Sequence, residues 1–298
     1  MIAADNQESK ETKARRQFTI DKQVSRAGQG LHSGSRVQIT LKPLPAGRGI
    51  NFARSGDCKQ EWIKACPENV VSTRRGVVLG APDKQGEKNQ IRTVEHLLAA
   101  CAGLQIDNLL VEVQGGEIPV GDGSAAELVE LIESAGRQSQ QARIDPFVPE
   151  ETIVMKEDNN YIMIKPAREL SYHYLLDYEQ DPPGQQKCSF FPSRQSFAAE
   201  IAPARTFVLR QEIQALRRAG LGQGGSRDNV VVYGREGPES KLRFANEAAR
   251  HKLLDLLGDL FLAGPIRGRV LAVKSGHSLH QRAARKIFQL KQKEDKHE

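Results

Sequence analysis

His251, Asp255 and Asp259 fall four residues apart in a stretch, His251 to Leu262, whose other positions are mostly Leu and Phe. Side chains at i and i+4 share one helix face, so the spacing predicts a largely buried helix with one polar stripe, stopped at Gly264-Pro265. Carboxylates in an apolar setting are costly unless paired or bound to a cation, and His and Asp one turn apart can share a metal ion. A solvent-facing stripe on an amphipathic helix accounts for the same spacing. A second segment favours the metal. Glu95-His96 lies in the first turn of a predicted helix that has Thr93 as N-cap and runs to about Gly103. With His96, His251 and Asp255 become three ligands with a fourth position left for water, the arrangement of a catalytic zinc. Glu95, beside a ligand, is placed to take a proton from that water. Taken alone, Glu95-His96 is also an ordinary helix start.

The elements around these residues read as strands, helix, strand, helix, twice over. Phe18 to Val24 and Arg36 to Leu41 read as paired strands around the turn residues Gly28 to Gly34. The Glu95 helix gives way to a strand at Ile106 to Val113. A glycine-rich loop, Gly115 to Gly123, then leads to a helix over Ala125 to Ala135, capped near Asp122 or Ser124. Gln138 to Pro149 is polar and proline-containing, which suits a linker. Strands resume at Thr152 to Met155, Tyr161 to Lys165 and Leu170 to Asp177. A helix over Leu209 to Ala219 and a strand over Asn229 to Tyr233 follow. After the His251 helix come a strand at Arg269 to Lys274 and a basic helix from about Leu279. The expectation is an α+β chain: a leader over 1–16, a first domain over 17–137, a linker over 138–149 and a second domain of similar plan over 150–298.

Bulk properties narrow the function classes. The chain has 298 residues, 39% hydrophobic and 27% charged, a globular balance with room for two domains. It has no run of 18 apolar residues, and the polar start, Met1 to Arg16, lacks the apolar core of a signal peptide, so a cytoplasmic protein is expected. Cys58, Cys66, Cys101 and Cys188 lack zinc-ribbon spacing and read as free thiols. The net charge is +6, and basic residues cluster at Lys10 to Arg16, Arg217-Arg218 and Arg282 to Lys293. With only 5% aromatics and no helix-turn-helix or RNA-binding signature, nucleic acid is not the expected partner. A polyanionic small substrate, or loose attraction to an anionic membrane face, suits the charge as well. There is no His-Glu-x-x-His, no Gly-x-Ser-x-Gly elbow, and Gly222 to Ser226 matches neither phosphate-loop fingerprint.

Seven blocks, in order, resemble the UDP-3-O-acyl-N-acetylglucosamine deacetylase family over roughly residues 17 to 290. They are Thr93 to Ala100, Gly103 to Asn108, Glu117 to Ala125, Ala204 to Phe207, Gly224 to Asn229, the His251 helix and Ser275 to Leu279. The resemblance implies a zinc amidase that removes the N-acetyl group of an acylated UDP-aminosugar on the way to lipid A. It also implies two domains, each a mainly antiparallel sheet layer on a pair of helices, with the active site between them. Residue by residue it makes His96, His251 and Asp255 the ligands of one zinc, with ferrous iron as the other candidate ion, and Glu95 the general base. Thr206 would help hold the oxyanion. His277 would stay protonated and serve the leaving amine, paired with Asp259, which raises its pKa. Lys252 would meet the nucleotide phosphates, and Phe207 would border an acyl passage built partly by the segment near Thr206 to Val232. His32 would lie near that passage without ligating. His173, His280 and His297 match no role and are expected on the surface or in strands. Gly222, Gln223 and Arg227 depart from the apolar residues expected by the passage, which bears on acyl length and not on the chemistry. A monomer is expected. Competing readings are a related zinc amidase for another N-acyl sugar and a non-catalytic relative that binds the ligand.

Overall fold

The structure is a computed structural model that describes residues 14–55, 62–80, 90–179 and 181–294. Its first half runs β1 (Arg15–Ile20), β2 (Val24–Gln29), β3 (Arg36–Pro43), β4 (Ile50–Arg54), β5 (Ile63–Lys64), β6 (Val70–Ser72), β7 (Val78–Gly80), β8 (Gln90–Arg92), α1 (Glu95–Leu104), β9 (Leu109–Gln114), α2 (Ala126–Ser134) and β10 (Arg137–Ile144). The second half runs β11 (Ile153–Glu157), β12 (Asn160–Lys165), β13 (Ser171–Asp177), β14 (Gln185–Phe190), α3 (Arg194–Ser196), β15 (Phe207–Leu209), α4 (Ile213–Arg218), β16 (Val231–Gly234), β17 (Gly237–Pro238), α5 (Glu247–Phe261), β18 (Arg269–Val273) and α6 (His277–Glu294).

The two halves share one topology. The first main sheet has the order β2-β3-β9-β4-β5 and the second β11-β12-β18-β13-β14. In each, the last strand in sequence enters the middle, antiparallel to one neighbour and parallel to the other (β9 with β3 and β4, β18 with β12 and β13). A parallel neighbour requires a crossover, and in both halves it contains a three-stranded sheet, β6-β7-β8 or β15-β16-β17, and then a helix, α1 or α5. The strands form because apolar residues alternate: Val37, Ile39 and Leu41 of β3, and Tyr172, Tyr174 and Leu176 of β13, all point into the core. One continuous apolar cluster runs through both halves.

Helices α1 and α5 pack on each other at the centre of this core, with α6, β13 and β14 also against α5. That enclosure explains why α5 is buried on nearly every face. Gly258 sets the approach of the two helices. A Cβ there would stand 2.0 Å from the Glu95 carbonyl oxygen and 3.1 Å from the Ala99 nitrogen, both backbone atoms that cannot swing aside. Gly258→Ala should therefore force α1 away from α5, with an overpacking cost of roughly 1–3 kcal/mol. Chemical denaturation should read this as a lower midpoint at constant m; an unchanged midpoint would show that the helices tolerate a wider gap.

Several local expectations differ. The first hairpin is β2 with β3, while β1 pairs with β10, so Arg137–Ile144 is a strand where a linker was expected. No residue of β10 is buried, so that strand of the two-stranded ribbon has no apolar alternation to announce it. Thr93 is not the cap of α1: it has φ 60°, its hydroxyl donates to Glu117 Oε1 (3.1 Å), and Val94 holds the cap position without a side-chain bond. Residues 207–209 are strand, and the helix expected there is only Ile213–Arg218. Strand β14 had no sequence signal. Cys66, Cys101 and Cys188 are free and buried; Cys58 and His297 lie outside the described residues. No helix among the described residues is long and apolar enough to cross a membrane.

Candidate metal centre and active site

The packing of α1 on α5 brings His96 to His251 and Asp255. His96 Nε2 lies 3.6 Å and His251 Nε2 3.5 Å from Asp255 Oδ1, and the two rings meet edge-on at 5.0 Å. The three offered ligand atoms all lie within 4.8 Å of one another, and all three residues are buried. His251 Nδ1 donates to the Ala204 carbonyl (3.1 Å), which leaves the Nε2 lone pair facing Asp255. Burial lowers the His251 pKa to about 4, against the Asp255 carboxylate, so the ring is neutral at physiological pH. Burial alone would raise the Asp255 pKa, but Lys252, His251 and His277 hold it well below its ordinary value. Two imidazoles and a carboxylate are the donor set a divalent ion needs.

Glu95 is 3% exposed, and its Oε2 accepts the Val77 backbone N–H at 2.9 Å. Burial raises its pKa, against the pull of His277 and His96. His277 starts α6, and its Nδ1 donates to Asp259 Oδ2 at 2.7 Å. Its Nε2 lies 3.8 Å from Asp255 Oδ2. Burial works against the charged ring, but Asp259 and then Asp255 outweigh it and bring its pKa up to about 9. Lys252 donates to Asp255 Oδ2 at 2.6 Å; burial would depress its pKa, and Asp255 more than reverses that.

Two adjoining cavities complete the site. One, about 330 Å³, is lined by Glu95, His96, His251, Lys252, Asp255 and His277, with Lys274, Asn160 and Tyr178 at its other side. The other, about 420 Å³, has apolar walls including Val208, Ile213, Leu216, Leu221 and Val230. Leu31, Arg75, Thr206 and Phe207 line both. Phe207 also meets the His251 ring edge-on at 6.5 Å. His32 lines the apolar cavity, its backbone N–H held by Glu117. Gly222 and Arg227 line that cavity too, whereas Gln223 contributes a backbone bond to His32. Eight of the nine candidate residues thus line the two cavities, and the ninth, Asp259, reaches them through His277.

Sequence reasoning missed three buried polar residues. Glu247 accepts from Arg205 N, Nε and Nη2 and from Arg243 N, which pins the segment carrying Ala204 and Thr206. It stands four residues before His251, so the stripe already contained the signal. Glu117 accepts from His32 N, Ser33 N and Thr93 Oγ1, and nothing local distinguishes it from a loop acid. His280, expected at the surface or in a strand, is in α6 with no exposure, because that face of α6 lies against α5.

Fold and site together define an α+β chain with a buried two-histidine, one-aspartate cluster where α1 packs on α5. Residues 17–289 match the family described as UDP-3-O-acyl N-acetylglycosamine deacetylase, and the chain belongs to that family. Curated relatives named UDP-3-O-acyl-N-acetylglucosamine deacetylase include one from Anaeromyxobacter sp. (strain Fw109-5), 41% identical over 278 residues, 91% of this chain and 88% of the relative. One from Myxococcus xanthus (strain DK1622) is 38% identical over 91% of this chain and 86% of its own length. One from Nostoc sp. (strain PCC 7120 / SAG 25.82 / UTEX 2576) is 39% identical over 92% of this chain and 99% of its own length.

Proposed function

We propose that this chain is a zinc-dependent deacetylase that hydrolyses the N-acetyl amide of UDP-3-O-acyl-N-acetylglucosamine, releasing acetate and a free amine, in the cytoplasmic synthesis of lipid A. The observation that carries the reading is the convergence of His96, His251 and Asp255 beside the buried carboxylate of Glu95. Those three residues would hold the zinc, which when bound lowers the pKa of water toward neutrality and polarises a carbonyl.

The protein's own groups divide the proton work. Glu95 Oε2 is occupied by the Val77 N–H, so Oε1 is the oxygen that takes the proton of the attacking water. Thr206, on the wall common to both cavities, donates to the oxygen on which negative charge develops. His277 Nδ1 is committed to Asp259, so Nε2 carries the proton delivered to the leaving amine. Lys252 and Lys274 give the polar cavity a positive side suited to a diphosphate, and Lys252 also neutralises Asp255.

Purified protein with zinc should release acetate from the acylated UDP-aminosugar in a chelator-sensitive manner. Metal-replete protein that leaves this substrate intact would sink the proposal, and turnover of only some other N-acyl sugar would redirect it. The apolar cavity should read the acyl chain. Shortening the chain by four methylenes forfeits roughly 3 kcal/mol of burial, at about 0.8 kcal/mol each, and kcat/KM should fall by up to about two hundredfold. Equal turnover of long- and short-chain substrates would show that the cavity does not hold the chain.

A further inference from the structure

His280 shares the carboxylate oxygen on which His277 rests. His277 and His280 lie three apart on one face of α6, and both Nδ1 atoms stand 2.7 Å from Asp259 Oδ2. Asp259 Oδ1 is buried and has no partner among the described residues, so these two imidazoles are the side chains that hold the carboxylate. His280 is in turn fixed from its far side: its Nε2 is 2.9 Å from Ser275 Oγ. The Ser275 carbonyl accepts the hydroxyl of Tyr174 on β13. Asp259 is ionised, so each Nδ1 donates to it. Burial lowers the His280 pKa, against Asp259, which leaves a neutral ring whose Nε2 accepts from the serine hydroxyl. The chain of donors runs Ser275 Oγ–H to His280 Nε2, His280 Nδ1–H to Asp259 Oδ2, and His277 Nδ1–H to the same oxygen.

We infer that His280 is a positioning residue, which fixes the Asp259 carboxylate so that His277 presents Nε2 to the reacting amide. The inference rests on the acid role given to His277 above. Without His280, Asp259 keeps a single donor inside a core, and a carboxylate there rotates or takes up water to recover its lost hydrogen bond. His277 then loses the orientation of Nε2 while the three metal-binding candidates stay where they are. His280 touches none of those three, and it lines neither cavity of the site.

The test compares three substitutions. His280→Asn places an amide nitrogen close to where Nδ1 stood, whereas His280→Gln reaches toward the Nε2 position and loses the donor to Asp259. His280→Ala should lower kcat by roughly 10–100-fold, the usual cost of removing an outer partner of a site residue, with KM and metal content near those of the parent. His280→Asn should recover turnover to within about threefold, and His280→Gln should not. In a His277→Ala background, His280→Ala should cost little more, because residues that act through one another are not additive. Full activity of His280→Ala, rescue by Gln instead of Asn, or a multiplicative loss in the double variant each overturns the inference. If the alanine variant does not fold, the Asn and Gln pair decides. Independently of turnover, the Nδ1 proton of His277 should give a downfield, slowly exchanging NMR signal that is retained in His280→Asn and broadened in His280→Ala; an unchanged signal in His280→Ala counts equally against it. Wild-type protein that releases no acetate defeats the proposed function, whereas active protein with indifferent His280 variants defeats this inference alone.

Discussion

His251→Ala should lose both its metal and its turnover, while Glu95→Ala keeps the metal and loses turnover by roughly two to four orders of magnitude, the contribution of a positioned general base. The contrast follows from geometry. His251 Nε2 and Asp255 Oδ1 are 3.5 Å apart, as two ligands of one ion must nearly be, and removal of the ring leaves two of the three donors. Glu95 instead anchors Oε2 on the Val77 N–H and directs a carboxylate of raised pKa toward the same locus. Metal analysis after gel filtration, together with acetate release, separates the two. Parent protein should carry about one ion per chain, the complement of a three-ligand site. A Glu95→Ala protein with parental kcat, or a His251→Ala protein with a full complement of metal, would overturn the division of roles.

The pH dependence should be bell-shaped, with its basic limb belonging to His277. That ring works protonated, and Asp259 and Asp255 bring its pKa up to about 9 against burial, so turnover should fall as pH rises through about 9. Glu95 works deprotonated; burial raises its pKa, so turnover should fall on the acid side at a pH above the ordinary carboxylate range. His277→Ala should abolish the basic limb and cost roughly 10²–10⁴ in kcat. Asp259→Ala removes the leading cause of the raised pKa and leaves burial to act the other way, so the basic limb should move to lower pH. kcat against pH for the parent and both variants is the measurement. A basic limb that stays in place in Asp259→Ala would show that it reports another group.

What the sequence by itself determined is local. Four-residue spacing places Glu247, His251, Asp255 and Asp259 on one face of α5, because a helix repeats every 3.6 residues whatever surrounds it. Alternation marks β3, β12 and β13, where one face is buried. The order of strands and helices, read twice, corresponds to two sheets of one topology. Strands β10 and β14 escaped notice because pairing, and not a local apolar pattern, makes them strands. Tertiary structure alone decided which side chains meet. His96 reaches His251 and Asp255 only because Gly258 lets α1 approach α5 to backbone contact. Thr93 turns away from its expected cap because Glu117, from a later loop, offers a buried acceptor. His280 reads as an unremarkable histidine until α6 lies on α5 and sets its Nδ1 against Asp259. In each case the deciding contact joins residues from separate elements, and the chain must close on itself before that contact exists.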